Sequence, residues 1–348
     1  MGAGAVGLGT AWSLAEQGHD VSLFDQRLSD PQPSRTEPLL SGTSASLGVL
    51  MGNVFRRSSG RGWRLRVRSM QLWPAWTSAL QQHEPSLELK TGLLQVADGV
   101  EEAERMKALA DHRIDRGLRW LDAKTIEEVW PVACHGGLHS SADGRIDPLL
   151  LQVALRKALI QPNVQTIQTT VAALTRQGSG WSVVPDVGSS SLHDAVVLCT
   201  GLNSDALLKP LGYNRAMSPV LGQALALQLS QSPEQWSHWP SVLVYRGFNL
   251  IPDGADRLLL GATVEPGDEP AEAPLKLMRT LDGEAPQWLR SATVIEHWNG
   301  LRARPVDRPA PLLEVLEDGL ILASGHYRNG VLLTPATAEW VTDILNKP

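Results

Sequence analysis

The pattern of hydrophobic and polar positions at the start of the chain predicts a loop, a helix and a strand in close succession. Residues 2–8 are rich in glycine and predict a loop, and residues 10–17 predict a short helix. A turn at 18–20 separates this helix from residues 21–25, whose alternating pattern predicts a strand. Residues 29–38 contain three prolines and no periodicity, so we expect an exposed connection there.

Farther along the chain, helical and extended patterns alternate. Helices are predicted at 61–83, 101–119, 149–159 and 335–345, and strands at 92–97, within 164–199, within 242–263 and at 320–324. Asp147-Pro148 precedes the third of these helices as a cap residue followed by a proline in the first turn. Residues 265–274 are acidic and contain prolines, so we expect a solvated loop.

Strands and helices alternate at both ends of the chain, whereas the middle is richer in strands. This order predicts an α/β fold: a Rossmann-like nucleotide-binding domain with an inserted α+β domain built on an antiparallel sheet. One continuous doubly wound sheet fits the order less well.

Composition and charge narrow the classes of function. The chain has 348 residues, of which 43% are hydrophobic and 20% charged, as is ordinary for a globular protein. Its net charge of −6 disfavours a nucleic-acid partner, because neutralising phosphates needs a basic surface. The two cysteines form no metal-binding motif, no apolar run is long enough to span a membrane, and the N-terminus does not resemble a signal peptide. We therefore expect a cytoplasmic protein that binds no metal.

One segment departs from the negative net charge of the chain. Six arginines lie within the thirteen residues 56–68. If this stretch is helical, Arg61, Arg64 and Arg68 share one face. We favour a solvated face or a group that assists a phosphate-bearing cofactor. A patch for a membrane or a nucleic acid is the alternative.

The glycine-rich opening provides the first candidate chemistry. Gly2-Ala3-Gly4-Ala5-Val6-Gly7 matches the GxGxxG pattern of dinucleotide-binding loops. In that pattern the first glycine permits a tight turn, the second lets the backbone approach the pyrophosphate, and the third lets the helix pack closely on a strand. Asp25 stands eighteen residues after Gly7 at the end of the predicted strand, where a carboxylate meets ribose hydroxyls. The alternative is an ordinary glycine-rich turn followed by a strand-end aspartate.

Only Met1 precedes this motif, although a buried strand of about five residues normally does. That strand is central in such sheets, and omitting it would expose the edges of its two neighbours. Two explanations stay open. We favour a natural start farther upstream over a shortened variant that would hold its dinucleotide loosely.

Later segments carry a family resemblance. Trp298-Asn299-Gly300-Leu301-Arg302 resembles a W-x-G-x-R motif, and Gly325-His326-Tyr327-Arg328-Asn329-Gly330 resembles a G-H-(F/Y)-R-N-G signature. Further matching segments lie, in the same order, at 42–48, 91–94, 145–148, 194–201, 219–223 and 260–263. On these segments the chain is identified as a member of the D-amino-acid oxidase family of flavoproteins, and it is most similar to the glycine oxidases.

The resemblance implies a division of the chain and a cofactor site. It implies an FAD-binding domain from 1–85, 143–217 and 303–348, and a substrate-binding domain from 86–142 and 218–302. It implies non-covalent FAD, since no cysteine follows Arg302 to form a covalent flavin bond. The residues implied to contact FAD are Gly2, Gly4, Ala5, Val6, Gly7, Asp25, Gln26, Thr43, Ser44, Ala45, Val171, Thr200, Gly201, Arg302, His326, Tyr327, Arg328, Asn329, Gly330 and Val331.

The resemblance also implies the substrate contacts. Arg302 is implied to clamp the substrate carboxylate, because a planar guanidinium binds a carboxylate in bidentate fashion, with Arg328 beside it. Taken alone, Arg302 could equally pair with Asp307. The tyrosine that the family places in the substrate site has two candidate positions here, Asn249 and Tyr245.

The sequence departs from the family pattern just after Arg302. The run Ala303-Arg304-Pro305 replaces the usual proline after the arginine, and Arg304 adds a second cation. His326 is more typical of a residue that braces its loop than of a catalyst.

We expect oxidation of glycine or another small amino acid or amine, with O2 reduced to H2O2. The resulting imine gives a keto acid and ammonia, or feeds the thiazole branch of thiamine synthesis. With a neutral amine the Cα hydrogen can leave as hydride, so the protein mainly positions the substrate. The alternatives are a dehydrogenase that passes electrons to a quinone or carrier, and a flavin-binding protein without catalysis. The resemblance also implies that subunits can associate into a homo-oligomer.

Overall fold

A computed structural model of the chain describes residues 1–28, 35, 40–230, 236 and 238–347. The predicted connection at 29–38 lies outside the described residues, except for Arg35. The described helices are α1 Ala5–Glu16, α2 Arg61–Leu80, α3 Val100–His112, α4 Ala123–Glu127, α5 Pro148–Ala158, α6 Ser204–Leu208, α7 Glu272–Thr280, α8 Gln287–Arg290 and α9 Gly330–Leu345. The strands are β1 Val21–Phe24, β2 Val49–Leu50, β3 Leu89–Val96, β4 Leu118–Leu121, β5 Gly137–Ile146, β6 Val164–Ile167, β7 Val171–Gln177, β8 Gly180–Pro185, β9 Ser191–His193, β10 Val196–Leu198, β11 Met217–Gln228, β12 Val242–Tyr245, β13 Phe248–Pro252, β14 Arg257–Gly261, β15 Glu265–Pro266, β16 Thr293–Pro305, β17 Leu312–Glu317 and β18 Leu320–Ser324.

Helix ends follow local capping chemistry where a cap is present. Asp147 caps α5 as predicted, because its Oδ1 accepts hydrogen bonds from the backbone N–H groups of Leu149 and Leu150 at 2.9 and 3.2 Å. The helix predicted at 101–119 is shorter in the structure. It ends at His112, and after Gly117, whose φ is 75°, the chain pairs as β4 with β5.

The first and last helices begin earlier than predicted. Helix α1 starts at Ala5 inside the glycine motif, and α9 starts at Gly330 with Pro335 inside it. Small residues and glycines carry little hydrophobic periodicity, so the sequence pattern registers each helix only after its first turn.

A ten-stranded mixed sheet forms the larger layer, in which β11 pairs antiparallel with both β14 and β16. One face of this sheet contributes Leu225, Leu243 and Leu258 to a core that contains several tryptophans. The opposite face contributes Ala224, Val244 and Trp298 to a second core that includes Leu40, Leu47 and Val54. This second face is the one that positions the candidate site.

Two small parallel pairings form the layer near the N-terminus, β1 with β6 and β10 with β18. Met1 and Gly2 lie between them. The amino group of Met1 donates to Val197 O, Cys199 N donates to Met1 O, and Gly2 N donates to Phe24 O, each at 2.9 Å. The edges of β1 and β10 that face each other are therefore joined by these two residues.

Three of the domain boundaries implied by the resemblance fall inside strands. The boundary after residue 142 cuts β5, the one after residue 217 separates the first residue of β11, and the one after residue 302 cuts β16. All three strands belong to the ten-stranded sheet, since β5 pairs with β3 to residue 146 and β16 pairs with β11 to residue 305.

Candidate functional site

The glycine loop ahead of α1 is built so tightly that its glycines cannot be replaced without displacement. Gly2 has a φ of 91°, and a Cβ on it would lie 2.6 Å from Cys199 O. A Cβ on Gly7 would overlap Gly2 O, and one on Gly4 would lie 3.1 Å from Thr43 Oγ1. Helix α1 has neither a side-chain cap at its N-terminus nor an acidic residue in its first turn. Such a terminus favours a phosphate, so the loop fits a dinucleotide.

Asp25 lies at the end of β1 and holds this loop. Its Oδ2 accepts a hydrogen bond from Ala3 N at 2.7 Å, and its Oδ1 accepts one from Arg27 N at 2.8 Å. An ionised carboxylate has about four acceptor positions, so capacity remains for ribose hydroxyls.

Three of the four other predicted cofactor residues of this layer lie just after the end of a strand. Gln26 follows Asp25 at the end of β1, and Thr200 and Gly201 follow β10, whereas Val171 begins β7. Ligands of parallel sheets bind at the carboxyl ends of the strands, where Gln26, Thr200 and Gly201 stand. Val171 instead packs against the apolar cluster that contains Phe24.

The segment 41–48 links the glycine loop to the large sheet. Thr43 Oγ1 accepts a hydrogen bond from Ala5 N at 2.9 Å, and Ser44 Oγ accepts one from Gln152 Nε2 at 3.2 Å. At its other end Ala45 O accepts a hydrogen bond from Trp298 Nε1 at 3.0 Å. A Cβ on Gly300 would overlap Ala45 Cβ. The nucleotide loop and strand β16 are therefore held on either side of one short segment.

Arg302 lies on β16 with its guanidinium against the backbone of Gly222. A Cβ added to Gly222 would lie 2.5 Å from Arg302 Cζ and closer to both Nη atoms. Nη1 of Arg302 donates to Leu221 O at 2.9 Å. Burial lowers the pKa of the Arg302 guanidinium from its usual value, and the nearby charge of Arg328 lowers it further. The described residues show no ion pair between Arg302 and Asp307, so that alternative is wrong for this structure.

Glu265 is a buried neighbour of Arg302 that the sequence analysis missed. We expected residues 265–274 to form a solvated loop, but Glu265 is only 4% exposed and forms β15, and α7 begins at Glu272. Its carboxylate accepts hydrogen bonds from Thr263 Oγ1, from Gln223 Nε2 at 3.0 Å and from Ala271 N at 2.7 Å. These three donors compensate the cost of burying the charge. The sequence feature that could have indicated this contact is the spacing of two residues between Thr263 and Glu265.

The loop 325–330 joins β18 to α9 beside this strand. His326 is buried and its Nε2 lies 2.9 Å from Thr337 Oγ1. Burial, together with the charge of Arg61, lowers the pKa of His326 to about 3, so the imidazole is neutral near pH 7 and braces the loop. Tyr327 N donates to Ala303 O at 3.2 Å, which ties the loop to β16. Arg328 is exposed.

The N-terminus of α9 is held from α2. Asn329, the N-cap residue of α9, accepts a hydrogen bond on its Oδ1 from Arg66 Nη2 at 2.9 Å. Arg66 is buried against the ring of Phe55, and burial lowers its pKa to about 10. Gly330 and Val331 then open a helix whose first turn has no acidic residue.

The arginines predicted to share a face of α2 are Arg61, Arg64 and Arg68, and all three are exposed, which fits the solvated face that we favoured. Two of them also contact other elements. Arg61 donates to Leu313 O at 2.8 Å, and Arg68 pairs with both carboxylate oxygens of Glu339 on α9. These two contacts fasten α2 to its neighbours.

The structure separates the two candidates for the family's substrate-site tyrosine. Tyr245 is 2% exposed and packs against Trp130, with ring centroids 5.3 Å apart, in the tryptophan-rich core on the far face of the sheet. Asn249 lies on the opposite face, because it alternates with Leu250, which belongs to that far core. Its Nδ2 donates to Gly261 O at 3.0 Å. Only Asn249 therefore shares a face with Trp298 and Arg302.

Comparison with known proteins identifies the family of the chain. A family model described as DAO, FAD dependent oxidoreductase, matches residues 1–344. The glycine oxidase of Geobacillus kaustophilus is 25% identical over 363 residues, covering 100% of this chain and 92% of that protein. The glycine oxidase of Bacillus subtilis is 26% identical over 364 residues, with the same two coverages.

A solved structure shows the fold. The crystal structure of glycine oxidase from Geobacillus kaustophilus superposes with a TM-score of 0.84 at 24% identity, covering 99% of this chain and 92% of that one. None of the helices that the described residues form has both the length and the apolar character needed to cross a bilayer.

Proposed function

Because the chain belongs to the DAO family of FAD dependent oxidoreductases, we propose that it binds FAD non-covalently and oxidises a small amino acid or amine. The observation that carries this proposal is the guanidinium of Arg302, which is packed on Gly222 on the sheet face that segment 41–48 links to the glycine loop. Both glycine oxidase relatives span the whole chain, which favours glycine or a similar amine as the substrate.

The architecture proposed for this function has two parts. The parallel strands β1, β6, β10 and β18, with α1 and α9, form a Rossmann-like FAD domain. The ten-stranded sheet belongs to an inserted α+β substrate domain. We move three of the implied boundaries so that β5, β11 and β16 stay whole within the substrate domain.

The residues proposed to hold FAD divide by the part of the cofactor that they suit. The backbone of residues 2–7 and Thr43 suit the pyrophosphate, and Asp25 suits the ribose. The uncapped N-terminus of α9 and the loop 326–330 suit the flavin end. Bound there, FAD would accept the two electrons that leave the substrate.

The protein groups around the substrate are proposed to bind and orient it. The fork of Arg302 holds the carboxylate, with Arg328 beside it and Asn249 on the same face of the sheet. Arg302 is preorganised because Leu221 O and Gly222 fix its position before substrate arrives. Among the described residues near Arg302, His326 is bonded to Thr337, and His297 lies on the opposite face of the sheet, because it alternates with Trp298 and pairs with Leu225. This agrees with loss of hydride from a neutral amine without a protein base.

In the overall reaction the amine loses two electrons and two protons, and O2 takes them up to form H2O2. Water then converts the imine to a keto acid and ammonia. When the substrate is glycine, its imine suits the thiazole branch of thiamine synthesis, the role that the resemblance to glycine oxidases implies.

A screen of amines with peroxide detection tests this proposal. Glycine, sarcosine and D-alanine are added to the FAD-loaded protein and to Arg302→Ala, with Arg308→Ala as the control, since Arg308 pairs with Glu314 at 3.5 Å. Loss of a buried partner of the carboxylate costs roughly 3–5 kcal/mol, so Arg302→Ala turns over at least about 100-fold more slowly with an intact flavin spectrum. Turnover within about tenfold of the parent contradicts the role of Arg302.

The same screen separates the alternatives. Flavin bleaching by an amine without peroxide indicates a dehydrogenase that uses a quinone or another carrier. No bleaching by any amine indicates a flavin-binding protein without amine oxidation.

A further inference from the structure

Two exposed arginines lie close to Arg302, and no acidic partner is found for either among the residues that the structure describes. Arg304 follows Arg302 by two positions on β16, where the pairing with β11 is regular. Both side chains therefore leave the same face of the strand, with Cα atoms roughly 7 Å apart. Arg328, on the neighbouring loop, is near enough for its charge to lower the pKa of Arg302.

Tyr327 fixes the spacing of these cations. Its N–H donates to Ala303 O at 3.2 Å, and Ala303 lies between Arg302 and Arg304 in the strand. The Cζ atom of Arg304 lies 5.8 Å from the centroid of the Tyr327 ring, within the range of a cation–π contact. Arg304 is therefore held beside the loop that borders the site while its guanidinium stays exposed.

Two other arginines nearby share an acidic partner within the chain. Arg308, four residues after Arg304, pairs with Glu314 at 3.5 Å, and Arg215 pairs with the same carboxylate at 2.8 Å. Glu265 is the acid whose charge reaches Arg302, and its carboxylate already accepts three hydrogen bonds. One substrate carboxylate on Arg302 therefore leaves the charges of Arg304 and Arg328 without compensation.

We propose that Arg304 determines specificity by binding a second acidic group of the substrate, so that the preferred substrate is an amine with two carboxylates. Arg302 binds the carboxylate next to the reacting carbon, and Arg304, supported by Arg328, binds the distal one. Complementary charge of this kind selects between ligands that are otherwise alike. The inference rests on the proposed oxidation of amines at this site.

Binding of matched acids tests the role of Arg304 without turnover. Butanedioate and butanoate differ by one carboxylate, and their dissociation constants are measured by perturbation of the flavin absorbance of the FAD-loaded protein. We expect butanedioate to bind about tenfold more tightly, which corresponds to about 1.4 kcal/mol. In Arg304→Gln this preference falls to less than twofold, Arg304→Lys restores part of it, and Arg308→Gln, which removes the same charge nearby, leaves it unchanged. Equal binding of the two acids, or a preference that survives in Arg304→Gln, overturns the proposal.

Turnover then tests the substrate class. D-aspartate, D-glutamate and iminodiacetate are compared with D-alanine, sarcosine and glycine, and we expect the best dicarboxylate to exceed the best monocarboxylate about tenfold in kcat/KM. If monocarboxylates reduce the flavin as fast as every dicarboxylate, the specificity is refuted while amine oxidation stands. If no amine reduces the flavin, both proposals are refuted.

Discussion

Replacing Gly222 by alanine displaces the guanidinium of Arg302 without changing its charge. The new Cβ would lie 2.5 Å from Arg302 Cζ, whereas carbon atoms in contact are about 3.5–4.0 Å apart. The guanidinium must therefore move by about 1 Å or more. It can do so because it is the end of a flexible side chain, so we expect the strand pairing of β11 with β16 to persist.

The cost falls on catalysis, because Arg302 is the proposed clamp for the carboxylate. Movement of the guanidinium also disturbs its hydrogen bond to Leu221 O, which fixes its direction. A misplacement of about 1 Å in a positioning group can cost roughly 100-fold in rate. We therefore expect Gly222→Ala to lower kcat/KM for the best amine substrate by roughly 100-fold, with Tm and the flavin spectrum nearly unchanged.

Steady-state kinetics with peroxide detection, together with thermal unfolding of the FAD-loaded protein, provide the assay. Gly99→Ala is the matched control, because a Cβ on Gly99 meets no atom within 4 Å. If Gly222→Ala retains kcat/KM within about threefold, the packing of Arg302 on Gly222 does not position the clamp. If Tm falls sharply while kcat/KM per folded molecule stays at the parent value, Gly222 is needed for the pairing of β11 with β16 and does not position Arg302.

Two further predictions concern the cofactor and pH. Asp25→Ala removes the acceptor for Ala3 N and the proposed acceptor for the ribose hydroxyls, so we expect the Kd for FAD to rise about 10–100-fold. An equal Kd in fluorescence titration contradicts this. The pKa of His326 is about 3 in the folded state, below its unfolded value near 6.5. The contribution of neutral His326 to the free energy of unfolding is therefore full above about pH 6.5 and is lost as pH falls toward 3. The loss is about 1.4 kcal/mol per pH unit, and we expect His326→Gln to lose less stability than the parent as pH falls below about 6.5, in unfolding followed at several pH values. An equal pH dependence of the two proteins contradicts this role of His326.

The parts of the fold that the sequence predicts are those that local chemistry determines. Asp147-Pro148 forms a helix start because the cap and the proline act within a few residues. Within the glycine motif, Gly2 has the positive φ that a tight turn requires, and a Cβ on Gly7 would overlap Gly2 O. Where the local pattern was weak, as in the first turns of α1 and α9, the predicted boundaries were late by five residues.

Residues whose role depends on distant partners could not be assigned in this way. Glu265 lies in an acidic, proline-containing segment, and its burial depends on hydrogen bonds from Gln223, Thr263 and Ala271. Arg66 resembles its exposed neighbours in sequence, yet it reaches Asn329 from another helix. The choice between Tyr245 and Asn249 depends on which face of the sheet each occupies, and that is fixed by tertiary packing.

We propose that this chain oxidises an amine at the Arg302 site with FAD as the electron acceptor. The most direct measurement is anaerobic mixing of the FAD-loaded protein with the amine panel, while the absorbance of oxidised flavin is followed, and then admission of O2. We predict that at least one amino acid bleaches the flavin, that O2 restores it with one H2O2 per flavin, and that Arg302→Ala bleaches at least about 100-fold more slowly. If the protein binds FAD stably and no amine of the panel reduces the flavin, the Arg302 site does not oxidise these amines.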